Sequence, residues 1–272
     1  KISIGLCADA RAAAEALQMR LNSRALACAA NREQRRTEIA QEKAAWEAEL
    51  DAWPQERDPW SLEVAKDSPA MHPRQMLREL EKALPTDAMV STDIGNICSV
   101  ANSYLRFEEP RSMFAAMSFG NCGYAFPAII GAKLAAPERP AVAYVGDGAW
   151  GMSFGELLTC VREKIPVTAV VFHNRQWGAE KKNQVDFYGN RFVGSNLENP
   201  SFASIARAMG AEGIVVDKLA DAGPALAAAC AAQKEGRTTV LEMMVTRELG
   251  DPFRRDALRK PLRLLEKYKN CM

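Results

Sequence analysis

The chain has 272 residues, of which 48% are hydrophobic and 25% charged, and its formal net charge is +1. This composition predicts a globular protein with a large core, and the balanced charge argues against nucleic acid as a partner. Seven cysteines without a CxxC pair and only two histidines favour neither a disulfide framework nor a zinc site. We therefore expect a cytoplasmic protein, and the absence of an 18-residue apolar run predicts no membrane segment.

The first 70 residues predict two segments that precede the main domain. Residues 1–22 predict a strand, a turn and an Ala-rich helix, and because the chain starts at Lys1 inside this strand we expect a fragment of a longer polypeptide. Residues 23–70 predict a helical linker, rich in Ala, Glu and Arg and then interrupted by prolines. A coiled coil is the alternative for this linker, but no strict heptad repeat persists.

Residues 71–247 alternate between helical and strand patterns, and residues 248–272 form a polar tail without a predicted role. Strands are predicted at 88–92, 113–116, 142–145, 167–172, 213–216 and 238–245. Helices are predicted at 74–84, 99–105, 122–136, 152–164, 202–209 and 219–233. This alternation predicts an α/β fold, a doubly wound and mostly parallel sheet with helices on both faces.

The most informative motif is Gly146-Asp147-Gly148, which directly follows a predicted strand. Asn174 follows the next predicted strand, so both side chains are expected at the same edge of the sheet. A carboxylate and an amide oxygen are ligands that Mg²⁺ prefers, and the turn 175–178 offers a third oxygen at Gln176. The glycines would let the backbone approach a phosphate. An ordinary turn is the alternative interpretation of Gly-Asp-Gly alone.

A second anion site is predicted where Gly95 and Asn96 lie between a strand and a helix. A glycine and a helix N-terminus at this position suit a diphosphate. The alternative is a simple helix cap, since Asn and Asp are common capping residues.

Together these segments resemble the thiamine-diphosphate-dependent acetolactate synthase and pyruvate oxidase superfamily. The Gly-Asp-Gly motif, 25 intervening residues and Asn174 match its cofactor motif, and the resemblance extends from about Met71 to Val245. Within the superfamily the segments are most similar to the sulfoacetaldehyde acetyltransferase family. The resemblance implies that residues 1–22 end a middle domain, that 71–247 bind diphosphate and Mg²⁺, and that thiamine diphosphate and Mg²⁺ are the cofactors.

The resemblance also implies which residues contact the cofactors. The implied cofactor contacts are Gly95, Asn96, Gly120, Asn121, Cys122, Gly146, Asp147, Gly148, Ala149, Asn174, Gln176, Trp177 and Gly178. The metal ligands among them are Asp147, Asn174 and Gln176. The Gly120 carbonyl would accept from the cofactor's amino group. Cys122 would lie between its two rings, where relatives commonly have a larger residue. We expect Cys122 to be a packed thiol and not a nucleophile.

For activity, the resemblance implies conversion of sulfoacetaldehyde and phosphate to acetyl phosphate and sulfite. It also implies a homodimer or homotetramer with shared active sites. The superfamily's catalytic Glu lies on an N-terminal domain that this sequence lacks, so no catalytic residue is assigned and the segment alone is expected to be inactive.

Two other functions stay open at this point: an acetolactate-synthase-like carboligase or 2-oxo acid decarboxylase, and a non-catalytic thiamine-diphosphate-binding domain. Four basic residues follow the metal motif and would form either an entrance for anionic substrates or a solvated face. They are Arg175, Lys181, Lys182 and Arg191.

Overall fold

The computed structural model describes residues 5–22, 29–52 and 71–247, and the chain divides into two compact units, residues 1–52 and 53–272. The first unit contains helix α1, Ala10–Asn22, and helix α2, Ala29–Ala52. The carboxylate of Asp9 begins α1 by accepting hydrogen bonds from the backbone N–H groups of Arg11 and Ala12, both at 3.0 Å. Of the strand predicted at the start of the chain, residues 5–7 have no regular structure and residues 1–4 lie outside the described ranges.

The second unit is built on a parallel sheet. Its strands, within the described residues, are β1 (Met89–Thr92), β2 (Met113–Ala115), β3 (Ala141–Gly146), β4 (Thr168–His173), β5 (Glu212–Val216) and β6 (Thr239–Met244). Their order is β2-β1-β3-β4-β6-β5, and every neighbouring pair is parallel. This confirms the predicted doubly wound α/β sheet.

Helices connect these strands and differ from the predictions in two places. They are α3 (Pro73–Ala83), α4 (Asn96–Tyr104), α5 (Ala125–Ala135), α6 (Asp147–Ser153), α7 (Leu157–Glu163), α8 (Gly178–Tyr188), α9 (Phe202–Ala208) and α10 (Leu219–Ala232). The helix predicted at 152–164 is two helices separated by a 3₁₀ turn, and the first of them begins at Asp147. Helix α8 was not predicted. None of the helices in the described ranges combines the length and apolar character that a membrane span requires.

The central strands β3 and β4 are buried along nearly their whole length, because helices cover both faces of the sheet. On one face, the Trp150 ring of α6 packs edge-on against the Phe126 ring of α5, with 4.8 Å between ring centroids. Trp150 is 1% exposed. This contact fixes α6 against the sheet, and α6 begins at Asp147.

The register of the central strands brings their carboxyl ends to one edge. Thr92 pairs with Tyr144, and Gly146 pairs with Phe172. The residues that follow β1, β3 and β4 therefore meet at this edge, which is where ligands bind in open parallel sheets.

Helix α9 packs so closely on β5 that Gly213 cannot carry a side chain. A Cβ at this position would overlap the backbone carbonyl oxygen of Ala203. We expect Gly213→Ala to lower the free energy of unfolding by about 1–3 kcal/mol, because neither backbone segment can move without disturbing the sheet.

Urea denaturation of the full chain checks this prediction, and Gly131→Ala in α5 is the matched control. A Cβ at Gly131 meets no atom within 4 Å, so this variant should gain up to about 1 kcal/mol from helix propensity. Equal stabilities of the two variants would contradict the packing described for α9.

Candidate functional site

An open cleft lies at the carboxyl ends of β1, β3 and β4. The predicted cofactor residues that line it are Gly95, Asn96, Cys122, Gly146, Asp147, Gly148, Ala149, Asn174, Gln176, Trp177 and Gly178. Gly120 and Asn121 are not among the lining residues, and both are exposed. The fold thus brings most of the predicted site together from separate turns.

Asp147 is 2% exposed and accepts hydrogen bonds on both carboxylate oxygens. Its Oδ1 accepts from the N–H of Gly148 at 2.9 Å, and its Oδ2 accepts from the N–H of Arg175 at 2.6 Å and from Nδ2 of Asn199 at 3.2 Å. A carboxylate has about four acceptor positions, so these bonds leave room for one further partner. Burial raises the pKa of Asp147, while nearby His173 and these hydrogen bonds counter the rise.

The backbone of Arg175 takes a left-handed conformation, with φ of 56°, that directs its N–H at Asp147. This conformation is uncommon for a residue with a side chain and costs about 1 kcal/mol. The hydrogen bond to the buried carboxylate offsets that cost, because a bond to a charged acceptor is among the stronger ones. The turn after β4 is therefore shaped around Asp147.

Asn174 and Gln176 occupy the same turn and are both buried. The Asn174 side-chain oxygen accepts from the N–H of Gln176 at 3.3 Å. The Oε1 atom of Gln176 is buried and has no hydrogen-bond partner among the residues that the structure describes. A buried acceptor without a donor is costly, so this oxygen is suited to an additional ligand. Arg247 supports the turn, since its Nε donates to the Asn174 carbonyl at 3.3 Å.

The indole ring of Trp177 covers Gly148. A Cβ at Gly148 would lie 2.8 Å from two atoms of that ring. Only glycine therefore permits Trp177 to stand in its place beside the cleft. On the other side of the same turn, Asn96 Nδ2 donates to the Gly178 carbonyl at 3.2 Å, which links the start of α4 to the start of α8.

The predicted anion site at Gly95 and Asn96 is not a side-chain cap. Gly95 is the N-cap of α4, with φ of 145°, and it has no capping side chain. The carboxylate of Asp93 instead serves α5, because its Oδ1 accepts from the N–H groups of Tyr124 at 2.9 Å and Ala125 at 3.3 Å. The Asp93 carboxylate, which follows β1, therefore does not cap the N–H groups at the start of α4.

Cys122 is half-buried and its thiol donates to the Ile94 carbonyl at 3.6 Å. Burial raises its pKa, and the nearby carboxylates of Asp93 and Glu180 raise it further. The thiol form therefore dominates near neutral pH, which is consistent with a packing role and not with a nucleophile.

The four basic residues that follow the metal motif do not line the cleft. Lys181 is buried, and its ammonium group donates to Asn196 at 2.7 Å and lies 5.1 Å from the centroid of the Phe192 ring. Arg175 and Arg191 are exposed. Lys181 is therefore neither part of a solvated face nor a contact of the cleft.

Three residues around Asp147 were not predicted as site residues: Asn199, His173 and Glu242. The Nδ1 atom of His173 lies 2.7 Å from Oε1 of Glu242, and both side chains are 2% exposed. Burial alone would raise the pKa of Glu242, but hydrogen bonds from His173, Ala203 and Ser201 lower it to about 2. A charged residue within the apolar strand β6 was the signal in the sequence that could have identified this pair.

Comparisons with known proteins show the family to which this domain belongs. The family model of the thiamine pyrophosphate enzyme C-terminal TPP binding domain matches residues 93–243, which is more than half of the chain. The chain therefore belongs to the thiamine pyrophosphate enzymes and contains their C-terminal cofactor-binding domain.

Individual relatives show which enzymes of this family the chain is similar to in sequence. The sulfoacetaldehyde acetyltransferase of Castellaniella defragrans is 66% identical over 99% of this chain and 46% of its own length. That of Alcaligenes xylosoxydans xylosoxydans is 64% identical with the same coverage. The chain thus spans about half the length of the curated relatives it matches. A thiamine diphosphate-dependent 4-hydroxybenzoylformate decarboxylase of Rhodococcus jostii RHA1 shares the fold, with a TM-score of 0.62 and 23% identity over 67% of this chain and 34% of that one.

The contact between Gly148 and Trp177 gives a test of the cleft. We expect Gly148→Ala to weaken thiamine diphosphate binding by about tenfold, because displacing the indole costs roughly 1–3 kcal/mol. The matched control is Gly151→Ala in the same helix, where a Cβ meets no atom within 4 Å.

Calorimetric titration of each full-length variant with thiamine diphosphate measures both affinities. Gly151→Ala should bind like the wild type. Unchanged affinity in Gly148→Ala would contradict the role assigned to the glycine.

Proposed function

We propose that this chain is the C-terminal part of a sulfoacetaldehyde acetyltransferase, which converts sulfoacetaldehyde and phosphate to acetyl phosphate and sulfite. The observation that supports it best is the identity of 66% and 64% to enzymes of that name across 99% of the chain. The matched span covers nearly the whole chain and therefore includes the turns that line the cleft. Thiamine diphosphate, when bound, supplies a nucleophilic carbon for attack on a carbonyl group, and the protein supplies orientation and charge.

We propose Mg²⁺ as the metal, with Asp147, Asn174 and Gln176 as its protein ligands. All three offer oxygen atoms, which Mg²⁺ prefers, and they lie in adjacent turns at one edge of the cleft. The buried Oε1 of Gln176 lacks a donor, and a nearby cation would also lower the cost of burying the charge of Asp147. The residues present therefore fit a divalent cation.

The diphosphate would be held by backbone groups on both sides of the metal. Gly95 places the N–H groups at the start of α4 against the cleft, and the helix dipole there favours an anion. Gly146, where a Cβ would meet no atom within 4 Å, leaves the cleft open beside the end of β3, so the backbone can approach phosphate oxygens there. The Trp177 indole lines the cleft beside Gly148.

The remaining catalytic groups are proposed to lie outside this chain, because it spans about half the length of its relatives. We propose a homodimer or homotetramer in the cytoplasm, in which another domain completes each cleft, and residues 1–22 as the end of a middle domain. Free thiols support the reducing compartment: the described cysteines Cys7, Cys98, Cys122, Cys160 and Cys230 are unpaired.

The proposed reaction is tested with the full-length protein, thiamine diphosphate and Mg²⁺. Sulfite and acetyl phosphate should both form from sulfoacetaldehyde, and acetyl phosphate should require inorganic phosphate. Turnover of pyruvate without sulfite release would replace this proposal with an acetolactate-synthase-like carboligase. Cofactor binding without turnover of either substrate would favour the non-catalytic alternative.

If Asp147 binds the metal, replacing it should weaken cofactor binding without a matching loss of thermal stability. Asp147→Asn should weaken Mg²⁺-dependent thiamine diphosphate binding by more than the roughly 10- to 100-fold typical of removing an outer partner of a metal ligand. The thermal midpoint of the cofactor-free protein should change little, because removing a buried charge whose pKa is raised by desolvation offsets the hydrogen bond that the new NH₂ group cannot accept.

Asp93→Asn is the matched control, since Asp93 is a buried carboxylate at the same sheet edge whose hydrogen bonds go to α5. It should retain Mg²⁺-dependent binding in the same calorimetric titration. Equal losses in the two variants would contradict the assignment of the metal to Asp147.

A further inference from the structure

A network of buried and half-buried side chains connects strand β6 to the Asp147 carboxylate. We propose that Glu242 is a positioning residue, which holds His173 and the loop of Asn199 in place and thereby sets the Asp147 carboxylate for its ligand. This inference rests on the proposed function only where it concerns metal and cofactor binding. Glu242 is not among the residues that line the cleft, so it acts through its neighbours.

The first arm of the network is His173. Its Nδ1 lies 2.7 Å from Oε1 of Glu242, and its ring lies 5.2 Å from the ring of Phe202 at the start of α9. Its Nε2 is buried and has no hydrogen-bond partner among the described residues. The carboxylate and the aromatic ring therefore fix the imidazole in one orientation. His173 ends β4 two residues before Arg175, whose N–H donates to Oδ2 of Asp147 at 2.6 Å, so the position of the imidazole affects the turn that holds this carboxylate.

The second arm is the start of α9. Oε2 of Glu242 accepts from the hydroxyl of Ser201 at 2.7 Å and from the N–H of Ala203 at 2.9 Å. Ser201 is also the N-cap of α9, since its oxygen accepts from the N–H of Ser204 at 3.2 Å. Hydrogen bonds to a buried charge are strong and directional, so Glu242 determines where the chain enters α9.

Asn199 lies two residues before this anchor. Its Nδ2 donates to Oδ2 of Asp147 at 3.2 Å, across 52 positions of sequence. Upstream, the loop is held by Leu197, whose N–H donates to the Arg175 carbonyl at 2.9 Å. The Asn199 amide is thus held from both sides, by Arg175 before it and by Glu242 after it.

Each oxygen of Glu242 therefore has its own hydrogen-bond partners, His173 for Oε1 and the start of α9 for Oε2. A loss of either arm would loosen a neighbour of Asp147 while leaving the cleft residues themselves unchanged. A partner of a metal ligand typically alters metal affinity when it is removed, and Glu242 would act one step further out.

The test compares Glu242→Gln with Gln233→Met in the full-length protein. Gln is isosteric with Glu, but it is neutral and has one acceptor oxygen instead of two, so it cannot accept hydrogen bonds in both arms and it binds every donor more weakly than the carboxylate does. Gln233 is the matched control, because it is buried and makes three hydrogen bonds to Ala141 and Thr168 at the opposite edge of the sheet. Both variants lose buried hydrogen bonds, so a merely structural role would affect them alike.

Hydrogen exchange of residues 196–201 in the cofactor-free protein is the first measurement. We expect exchange in this loop to be about tenfold faster in Glu242→Gln and unchanged in Gln233→Met. A tenfold change corresponds to roughly 1.4 kcal/mol, which is the free energy of about one lost hydrogen bond. Equal exchange in this loop in the two variants would overturn the proposal.

Calorimetric titration with thiamine diphosphate at fixed Mg²⁺ is the second measurement. Glu242→Gln should bind about tenfold more weakly. Because Glu242 acts in part through Asn199, its effect should shrink in an Asn199→Ala background, giving a non-additive double-mutant cycle. Additive effects would contradict the coupling. If the wild type shows no Mg²⁺-dependent binding, the proposed metal site is wrong, and the exchange measurement still decides whether Glu242 fixes the loop.

Discussion

The structure depends on how a buried negative charge is accommodated at the edge of the sheet. Asp147 is almost fully buried, and within the described residues it forms no ion pair with a Lys or Arg. Its partners are the N–H groups of Gly148 and Arg175 and the amide of Asn199, all of them neutral. Neutral donors compensate only part of the cost of burying a charge, so this position favours a cation.

Several features of the fold are best explained as support for this carboxylate. The contact between Trp150 and Phe126 fixes the helix that begins at Asp147, and the left-handed backbone of Arg175 turns an N–H toward it. The absence of a side chain at Gly148 allows Trp177 to close one wall. Each feature lies on a different segment, and the parallel register of β3 and β4 is what brings the segments together.

The sequence predicted the sheet from local patterns, and it predicted most of the cleft from local patterns together with the resemblance to the thiamine-diphosphate superfamily. The buried strands are continuous apolar runs, and the Gly-Asp-Gly motif and Asn174 each follow such a run. Helix α8 was missed because its residues, GAEKKNQVDFY, have no apolar periodicity. The start of the helix predicted at 152–164 was wrong by five residues, because a helix already begins at Asp147, directly after the strand.

Long-range contacts account for what the sequence could not predict. Asn199 and Glu242 reach the site only through folding, at separations of 52 residues from Asp147 and 69 from His173. Lys181 was predicted to lie on a solvated face or at an anion-binding entrance because it is charged. In the structure its ammonium group instead contacts Asn196 and Phe192. Pairings of this kind have no periodicity in sequence, so they emerge only when the elements are packed.

The measurement that tests the central claim most directly is a crystal structure of the full-length protein with thiamine diphosphate and Mn²⁺, located by its anomalous signal. The account predicts one metal peak coordinated by the Asp147 carboxylate, the Asn174 amide oxygen and an oxygen of Gln176, together with the diphosphate. A metal bound elsewhere, or a diphosphate held without any contact to Asp147, would contradict it.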